Sequence, residues 1–260
     1  MKIDKLIFSC DDNGDYLKMW ELTSKICKLT LGVTPVLFHI TNEYSDFYHD
    51  KYGIVKKIKS IPDIPTSFQS QVYRLYGSKF FMNENIMMSD IDMLTFNKEY
   101  FFNSIKNIDD DSLVIYESDA YDLSREETRN MFALYRYPMC YILGKGSTFI
   151  KLLEMNYDFN EFCEKIYNFD FGYDLPFFHR DECYLGKKIN RNHNEINIVK
   201  LKRGIENVWN YPRRINKENY KSYNDRMIRD KEYIDFHLPN DYINNLKTIN
   251  EIAKKILVYY

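Results

Sequence analysis

Ile86-Met87-Met88-Ser89-Asp90-Ile91-Asp92-Met93-Leu94 carries an apolar, strand-like run straight into two carboxylates one residue apart. Acids at the end of a buried strand carry a desolvation cost unless something pairs with them. At positions i and i+2 they can point to one side and share a divalent cation, and hard cations such as Mg²⁺ and Mn²⁺ prefer carboxylate and phosphate oxygens. The competing reading is an N-cap or a turn. Spacing alone does not separate the two, because Asp109-Asp110-Asp111 has the same pattern and reads as a solvated loop. Position at the end of a strand does.

Working outward, strands and helices alternate. Lys5 to Cys10 is a short apolar run that breaks into Asp11-Asp12-Asn13-Gly14, a buried strand ending in a polar loop. Met19, Leu22, Ile26 and Leu29 give Asp15 to Leu31 helical spacing, closed by Gly32 where a left-handed cap residue belongs. Val36 to Thr41 predicts a second strand. Thr66 and Gln69 have the spacing of a capping box, and Phe68, Val72, Leu75 and Tyr76 stripe the helix that follows. Leu113 to Tyr116, Met139 to Leu143 and Tyr233 to Leu238 read as further strands. Pro239 is expected to open a last helix through Leu257. Such alternation predicts an α/β fold with a mostly parallel sheet covered by helices, with ligands bound beyond the carboxyl ends of its strands.

Composition bounds the function. The chain has 260 residues and a formal net charge of −2, so global charge gives no reason to expect a nucleic-acid partner. A hydrophobic content of 45% supports a real core, and 23 Tyr with 18 Phe against 9 Gly make it an aromatic one. Tyrosine also lines clefts that bind planar bases and sugars. No run approaches the roughly 18 apolar residues of a transmembrane segment, and the N-terminal apolar run is too soon broken by acids for a signal peptide. The 5 cysteines are scattered without a C-x-x-C pair, so zinc is not expected and a reducing, cytoplasmic setting is. Charge is unevenly spread: Glu84 to Glu127 holds twelve acids against three bases, and Lys200 to Lys231 ten bases against four acids.

Taken in order, these segments resemble the nucleotide-sugar glycosyltransferases of the GT-A fold. Residues 86–94 look like the family's D-x-D strand, and the helix Gln69-Ser70-Gln71-Val72-Tyr73-Arg74-Leu75-Tyr76 is placed like the one that presents a basic side chain to the donor. Arg180-Asp181-Glu182-Cys183-Tyr184-Leu185 is similar to the acidic acceptor motif, and Phe236-His237-Leu238 to the late histidine that completes the metal shell. The resemblance spans roughly residues 5 to 240, and the order of the motifs is more specific than any one of them.

That resemblance implies a divalent-metal-dependent transferase moving a sugar from a nucleoside diphosphate, UDP by default with GDP open, to a glycan or other hydroxyl acceptor. Asp90, Asp92 and His237 would hold Mn²⁺ or Mg²⁺, acting as a Lewis acid on the diphosphate. Arg74, Arg213 and Arg214 would add charge-assisted hydrogen bonds to the same oxygens. Asp181, with Glu182 next to it, is the expected general base of an inverting displacement. Ser9, Asp11, Asp12 and Thr41 stand where base and ribose contacts fall, and Gly144 would let the backbone approach the donor sugar. One GT-A-like domain is expected, with a donor half over 1–95, an acceptor half over 96–200, and a C-terminal segment over 201–260 containing a closing loop and a terminal helix.

Each residue has a plainer role available. His237 could be an ordinary strand histidine, Arg74 a salt-bridged helix residue, Asp181 and Glu182 a helix start favoured by the dipole, and the basic stretch a solvated surface. Three rival functions share features of this chain. A phosphotransferase of the D-x-D-x-[TV] kind needs its motif on the first core strand, and here the fifth position is Leu94. A sugar nucleotidyltransferase needs a basic, Gly-rich loop where Asp11-Asp12-Asn13-Gly14 stands. The third is a non-catalytic nucleotide-sugar-binding homologue.

Overall fold

The structure is a computed structural model that describes residues 1–43, 51–119, 136–172, 175–202 and 213–260. Its main sheet has seven strands, β1 (Lys5–Cys10), β2 (Thr34–Ile40), β3 (Ile54–Ile58), β4 (Asn85–Met88), β6 (Leu113–Ile115), β7 (Ile142–Lys145) and β8 (Ile198–Lys200), in the spatial order β3-β2-β1-β4-β7-β6-β8. All neighbours are parallel except at β7, which runs antiparallel to both β4 and β6. A second sheet of β5 (Met93–Thr95), β10 (Asp235–His237) and β9 (Arg214–Ile215), in that order, sits beside it.

The strands read as unbroken apolar runs because both of their faces are covered. In β1, Ile7 enters one core while Leu6, Phe8 and Cys10 enter another; β4 splits Ile86 and Met88 from Met87 in the same way. The first core lies under α2 (Thr66–Tyr76), α4 (Gly146–Leu153), α5 (Phe159–Tyr167) and α6 (Arg180–Arg191). The second lies under α1 (Gly14–Ile26) and α3 (Lys98–Asn103). A third core joins the small sheet to α7 (Asp225–Arg229) and α8 (Leu246–Tyr259), through Leu94, Phe96, Phe236, Ile228, Ile249, Ile252 and Ile256. The aromatic residues do the filling: Trp20, Tyr116, Tyr141, Tyr184 and eight phenylalanines are the largest fully buried side chains.

Polar side chains cap several helix starts, where backbone N–H groups lack partners within the helix. Asn13 caps α1, Asn97 caps α3, and Asp158 with Glu161 forms a capping box on α5. Gly32, at φ 75°, ends the π-type turn Cys27–Leu31 that continues α1, in the left-handed conformation expected of it.

Three local expectations are corrected. Thr66 and Gln69 form no capping box: Thr66 is already helical, and its hydroxyl donates to Asp11 Oδ2 at 2.9 Å. Gln69 turns away from the helix start to bond the N–H and carbonyl of Ile61 and the carbonyl of Ile64. Pro239 does not open the last helix, which begins at Leu246 after a short 3₁₀ turn, Ile243–Asn245. The run expected over Met139–Leu143 becomes a strand only at Ile142 and continues to Lys145, with Met139 and Tyr141 packed into the two cores ahead of it.

Candidate active site

The carboxyl ends of β1, β2 and β4 line one edge of the sheet. At that edge Ile91 is 5% exposed and packed into the second core, while Asp90 and Asp92 on either side are half-buried. An apolar residue between the two acids thus anchors the turn. The turn is fixed further by Met93 N–H on the Asp90 carbonyl at 3.1 Å, by the Thr23 hydroxyl on the Ile91 carbonyl at 2.9 Å, and by Leu238 N–H on the Asp92 carbonyl at 2.7 Å.

Asp90 faces Arg74. This arginine, on α2, forms ion pairs with Asp90 and, at 2.9 Å, with Asp181 in the first turn of α6, so one guanidinium spans two carboxylates from two elements. Arg74 Nε and Asp181 Oδ1 are buried without a hydrogen-bond partner. The site therefore contains both a donor and an acceptor with capacity to spare.

Asp92 faces His237. Antiparallel pairing sets His237 opposite Met93, and its Nε2 lies 3.3 Å from Asp92 Oδ2 across a gap of 145 residues in the chain. Burial alone would raise the Asp92 carboxyl, but the hydrogen bond and charge of His237, together with Lys217, hold it below the usual carboxylate range. Two donors bound side by side to one octahedral cation at about 2.1 Å sit about 3 Å apart, so Asp92 and His237 already have the spacing of neighbouring ligands. Among the described residues no three His, Cys, Asp or Glu side chains converge as a ready-made metal site, because Asp90 is turned toward Arg74. The residues fit a hard cation in their donor chemistry, with Asp92 and His237 side by side; to ligate it, His237 Nε2 would give up the proton it shares with Asp92.

The carboxylates expected to serve as base lie in different surroundings. Asp181 is 1% exposed and presented to Arg74 rather than to open solvent. Glu182 contacts Arg136, with His179 Nδ1 at 3.8 Å from its Oε2. Burial pushes the Glu182 carboxyl up to about 7, against the pull of Arg136.

Around the first strand, the Ser9 hydroxyl donates to the Ser70 carbonyl at 2.5 Å, which ties β1 to α2. Asp11 accepts from Thr66 and from Asn13 N–H, and Asp12 Oδ1 meets the buried His39 Nε2 at 2.9 Å. Thr41 is 6% exposed and accepts from Glu43 N–H at 3.0 Å. These four side chains share the edge that carries Asp90.

Other expected residues are elsewhere. Gly144 is in the middle of β7, opposite Ile86; since β7 runs antiparallel to β4, the Gly144–Lys145 segment lies toward the other edge of the sheet. A Cβ on Gly144 would meet Leu113 Cδ1 at 3.1 Å and Phe149 Cε2 at 3.2 Å, so the glycine answers a packing need and not a donor sugar. Arg214 is buried between Asp235 and Glu117 and does not reach out to a diphosphate. Arg213 is exposed, with its Nε on the Glu232 carbonyl and its guanidinium over Tyr100. Of the basic stretch read as a closing loop, 203–212 lies outside the described residues.

Two residues at the site escaped the sequence reading. Tyr16, in the first turn of α1, is 38% exposed; burial, then the charges of Asp92 and Asp11, push its hydroxyl up, with Arg74 opposing. It is an exposed aromatic between the first-strand loop and the D-x-D turn, and its place on the polar side of α1 was available as a signal. Lys217 follows β9 and acts on Asp92, a proximity that depends on strand pairing no local pattern announces.

No protein-family model and no curated protein matches the sequence. Solved structures do match the fold. The galactosyltransferase LgtC, in complex with donor and acceptor sugar analogs, superposes with a TM-score of 0.54 at 12% identity, over 96% of this chain and 95% of its own. An active-site mutant of LgtC superposes with a TM-score of 0.52 at 12% identity, with the same coverage. No helix among the described residues is long and apolar enough to cross a membrane. The chain has the GT-A fold of the nucleotide-sugar glycosyltransferases over nearly its whole length.

Proposed function

We propose that the protein is a glycosyltransferase that takes a sugar from a nucleoside diphosphate, a UDP-sugar by preference, and passes it to a hydroxyl of a glycan or similar acceptor. The observation that carries the reading is the pairing at the sheet's carboxyl edge: Arg74 across Asp90 and Asp181, beside Asp92 with His237. A sugar leaving a diphosphate builds negative charge on phosphate oxygens, and this edge supplies what that charge needs.

Asp92, His237 and Asp90 would be the residues to hold a Mn²⁺ or Mg²⁺ ion at this edge. When bound, the cation supplies Lewis-acid stabilisation to the leaving diphosphate. Arg74 gives the same oxygens a charge-assisted hydrogen bond from a guanidinium whose Nε has no other partner. Tyr16 presents its ring to the base, and Asp11 and Asp12 face the ribose. Asp181 holds Arg74 in place. An inverting displacement needs a carboxylate that accepts a proton near neutral pH, and Glu182, pushed up to about 7, suits that task better than the buried Asp181.

A panel of nucleotide sugars with Mn²⁺, read out as donor hydrolysis, tests the reading. Release of UDP from one of them supports it. Binding of UDP without turnover of any donor, with or without simple glycoside acceptors, would make the chain a nucleotide-sugar-binding protein instead.

A further inference from the structure

The two sheets meet through a buried polar joint. Arg214 on β9 and Asp235 on β10 are register partners, and their side chains pair twice: Nε to Oδ1 at 2.9 Å and Nη2 to Oδ2 at 2.8 Å. The same Nη2 reaches Glu117 Oε1 at 2.9 Å, two residues past the end of β6. From the residue before β7, the Tyr141 hydroxyl donates to Asp235 Oδ2 at 2.9 Å. The side chains of Arg214, Glu117 and Asp235 are 6%, 1% and 0% exposed. Apolar residues would fill such a space at no greater cost, so a buried ionic cluster is weak evidence for stability. What a two-pronged guanidinium–carboxylate pair adds is direction.

The joint stands under one half of the candidate site. Arg74, Asp90 and Asp181 belong to the main sheet and the helices on it. His237 belongs to the small sheet, and Asp92 is joined to that sheet through β5, which begins at the next residue. Between Asp90 and Asp92 the chain therefore passes from one sheet to the other. Asp235 and His237 are two residues apart on β10 and share one side of the strand. The β5–β10 pairing fixes His237 beside Asp92, and the turn held by Ile91 and Thr23 ties Asp92 to Asp90; the far end of the small sheet, where β9 lies, needs its own link to the main sheet. Among the described residues, Arg214, Asp235, Glu117 and Tyr141 bridge the two sheets with directional bonds.

We propose that Arg214 is a positioning residue: by gripping Asp235 and Glu117 it locks the small sheet onto the main one, so that Asp92 and His237 face Asp90 and Arg74 across one cleft. The consequence for cation and nucleotide binding rests on the function proposed above; the placement of His237 does not. In this role Arg214 acts through other residues and never touches substrate.

The test uses Arg214→Lys, which keeps the charge and loses the two-pronged grip, and Tyr141→Phe, which removes one hydrogen bond and little volume. Each is checked for wild-type far-UV circular dichroism. The ring signals of ¹³C-labelled His237 are then compared in metal-free protein, and Mn²⁺ affinity in the presence of UDP is measured by electron paramagnetic resonance. Expected is a shifted His237 signal in both variants, with Mn²⁺ affinity reduced tenfold or more in Arg214→Lys and less in Tyr141→Phe. A folded Arg214→Lys protein with the wild-type His237 signal and wild-type affinity would overturn the proposal. If Arg214→Lys does not fold, Tyr141→Phe is judged by the same two readouts. If the wild-type protein binds no Mn²⁺ with UDP, the functional reading fails, and the metal-free His237 signal alone decides the positioning role: a shift supports it, and an unmoved signal overturns it.

Discussion

Removing the Arg74 side chain is the most informative single perturbation of this site. The side chain is 10% exposed, and of its two partners Asp181 is 1% exposed and Asp90 37%. In Arg74→Ala, Asp90 can turn to water and loses little, as exposed pairs do. Asp181 cannot. A carboxylate left buried without its partner costs about 3–5 kcal/mol. For a chain of this size each kcal/mol corresponds to roughly 2–4 °C in Tm, so the expected fall is roughly 6–20 °C. Asp181→Ala removes the stranded charge together with its need for a partner. The double variant Arg74→Ala/Asp181→Ala is therefore expected to be more stable than the sum of the single losses predicts, with a coupling of about 1–3 kcal/mol. Urea denaturation of the four proteins, with fluorescence and circular dichroism transitions required to coincide, measures the cycle. Single losses that simply add, or an Arg74→Ala protein within about 0.5 kcal/mol of wild type as at an ordinary surface position, would refute the claim that Arg74 and Asp181 form a buried pair.

Further outcomes follow from the same geometry. His237→Ala should weaken Mn²⁺-dependent UDP binding by calorimetry while leaving the fold intact, and wild-type binding in the variant would remove His237 from the ligand set. Glu182 has its folded pKa raised to about 7 from an ordinary 4.5, so its ionisation works against the folded state; stability held below about pH 4.5 should be lost as pH rises through 7, and Glu182→Gln should flatten that slope in a pH series of Tm values. Gly144→Ala should lower stability slightly with UDP binding unchanged, since only the side chains of Leu113 and Phe149 must yield. Gly146→Ala should be far more damaging, because its Cβ would come within 2.2 Å of the Phe81 carbonyl oxygen, and equal stabilities of the two alanine variants would contradict the packing seen at Gly146.

What the sequence made legible was what a strand or a helix writes locally. Ile7 and Phe8 belong to opposite cores, yet the run Lys5–Cys10 announces a strand because both faces are buried. Asp90 and Asp92 stood out because acids are costly at such a place, and Gly32 because only a left-handed end needs it there. Illegible were features that depend on which strands meet. Nothing around Ile142 tells that β7 enters the sheet antiparallel, and that reversal carries Gly144 away from the edge that holds Asp90 and Asp92. The capping-box spacing of Thr66 and Gln69 was real, but tertiary partners, Asp11 for one and the Ile61–Ile64 loop for the other, outcompeted it.

Arginine placement shows the same limit from the other side. Arg213 and Arg214 are adjacent, equally basic, and equally plausible as phosphate ligands on paper. Strand alternation sends one outward over Tyr100 and the other inward to two carboxylates. Which of the two is buried depends on the register of β9 against β10, and that register aligns Arg214 with Asp235. Without that alignment Asp235, at 0% exposure and two residues from His237, would lose its positive partner. An acid at that place on β10 is tolerable only because a guanidinium arrives from the neighbouring strand. The pairing of β9 with β10 and the fully buried acid of Asp235 therefore require each other, and a substitution at either end of the pair should be felt at His237 as well as in the stability of the fold.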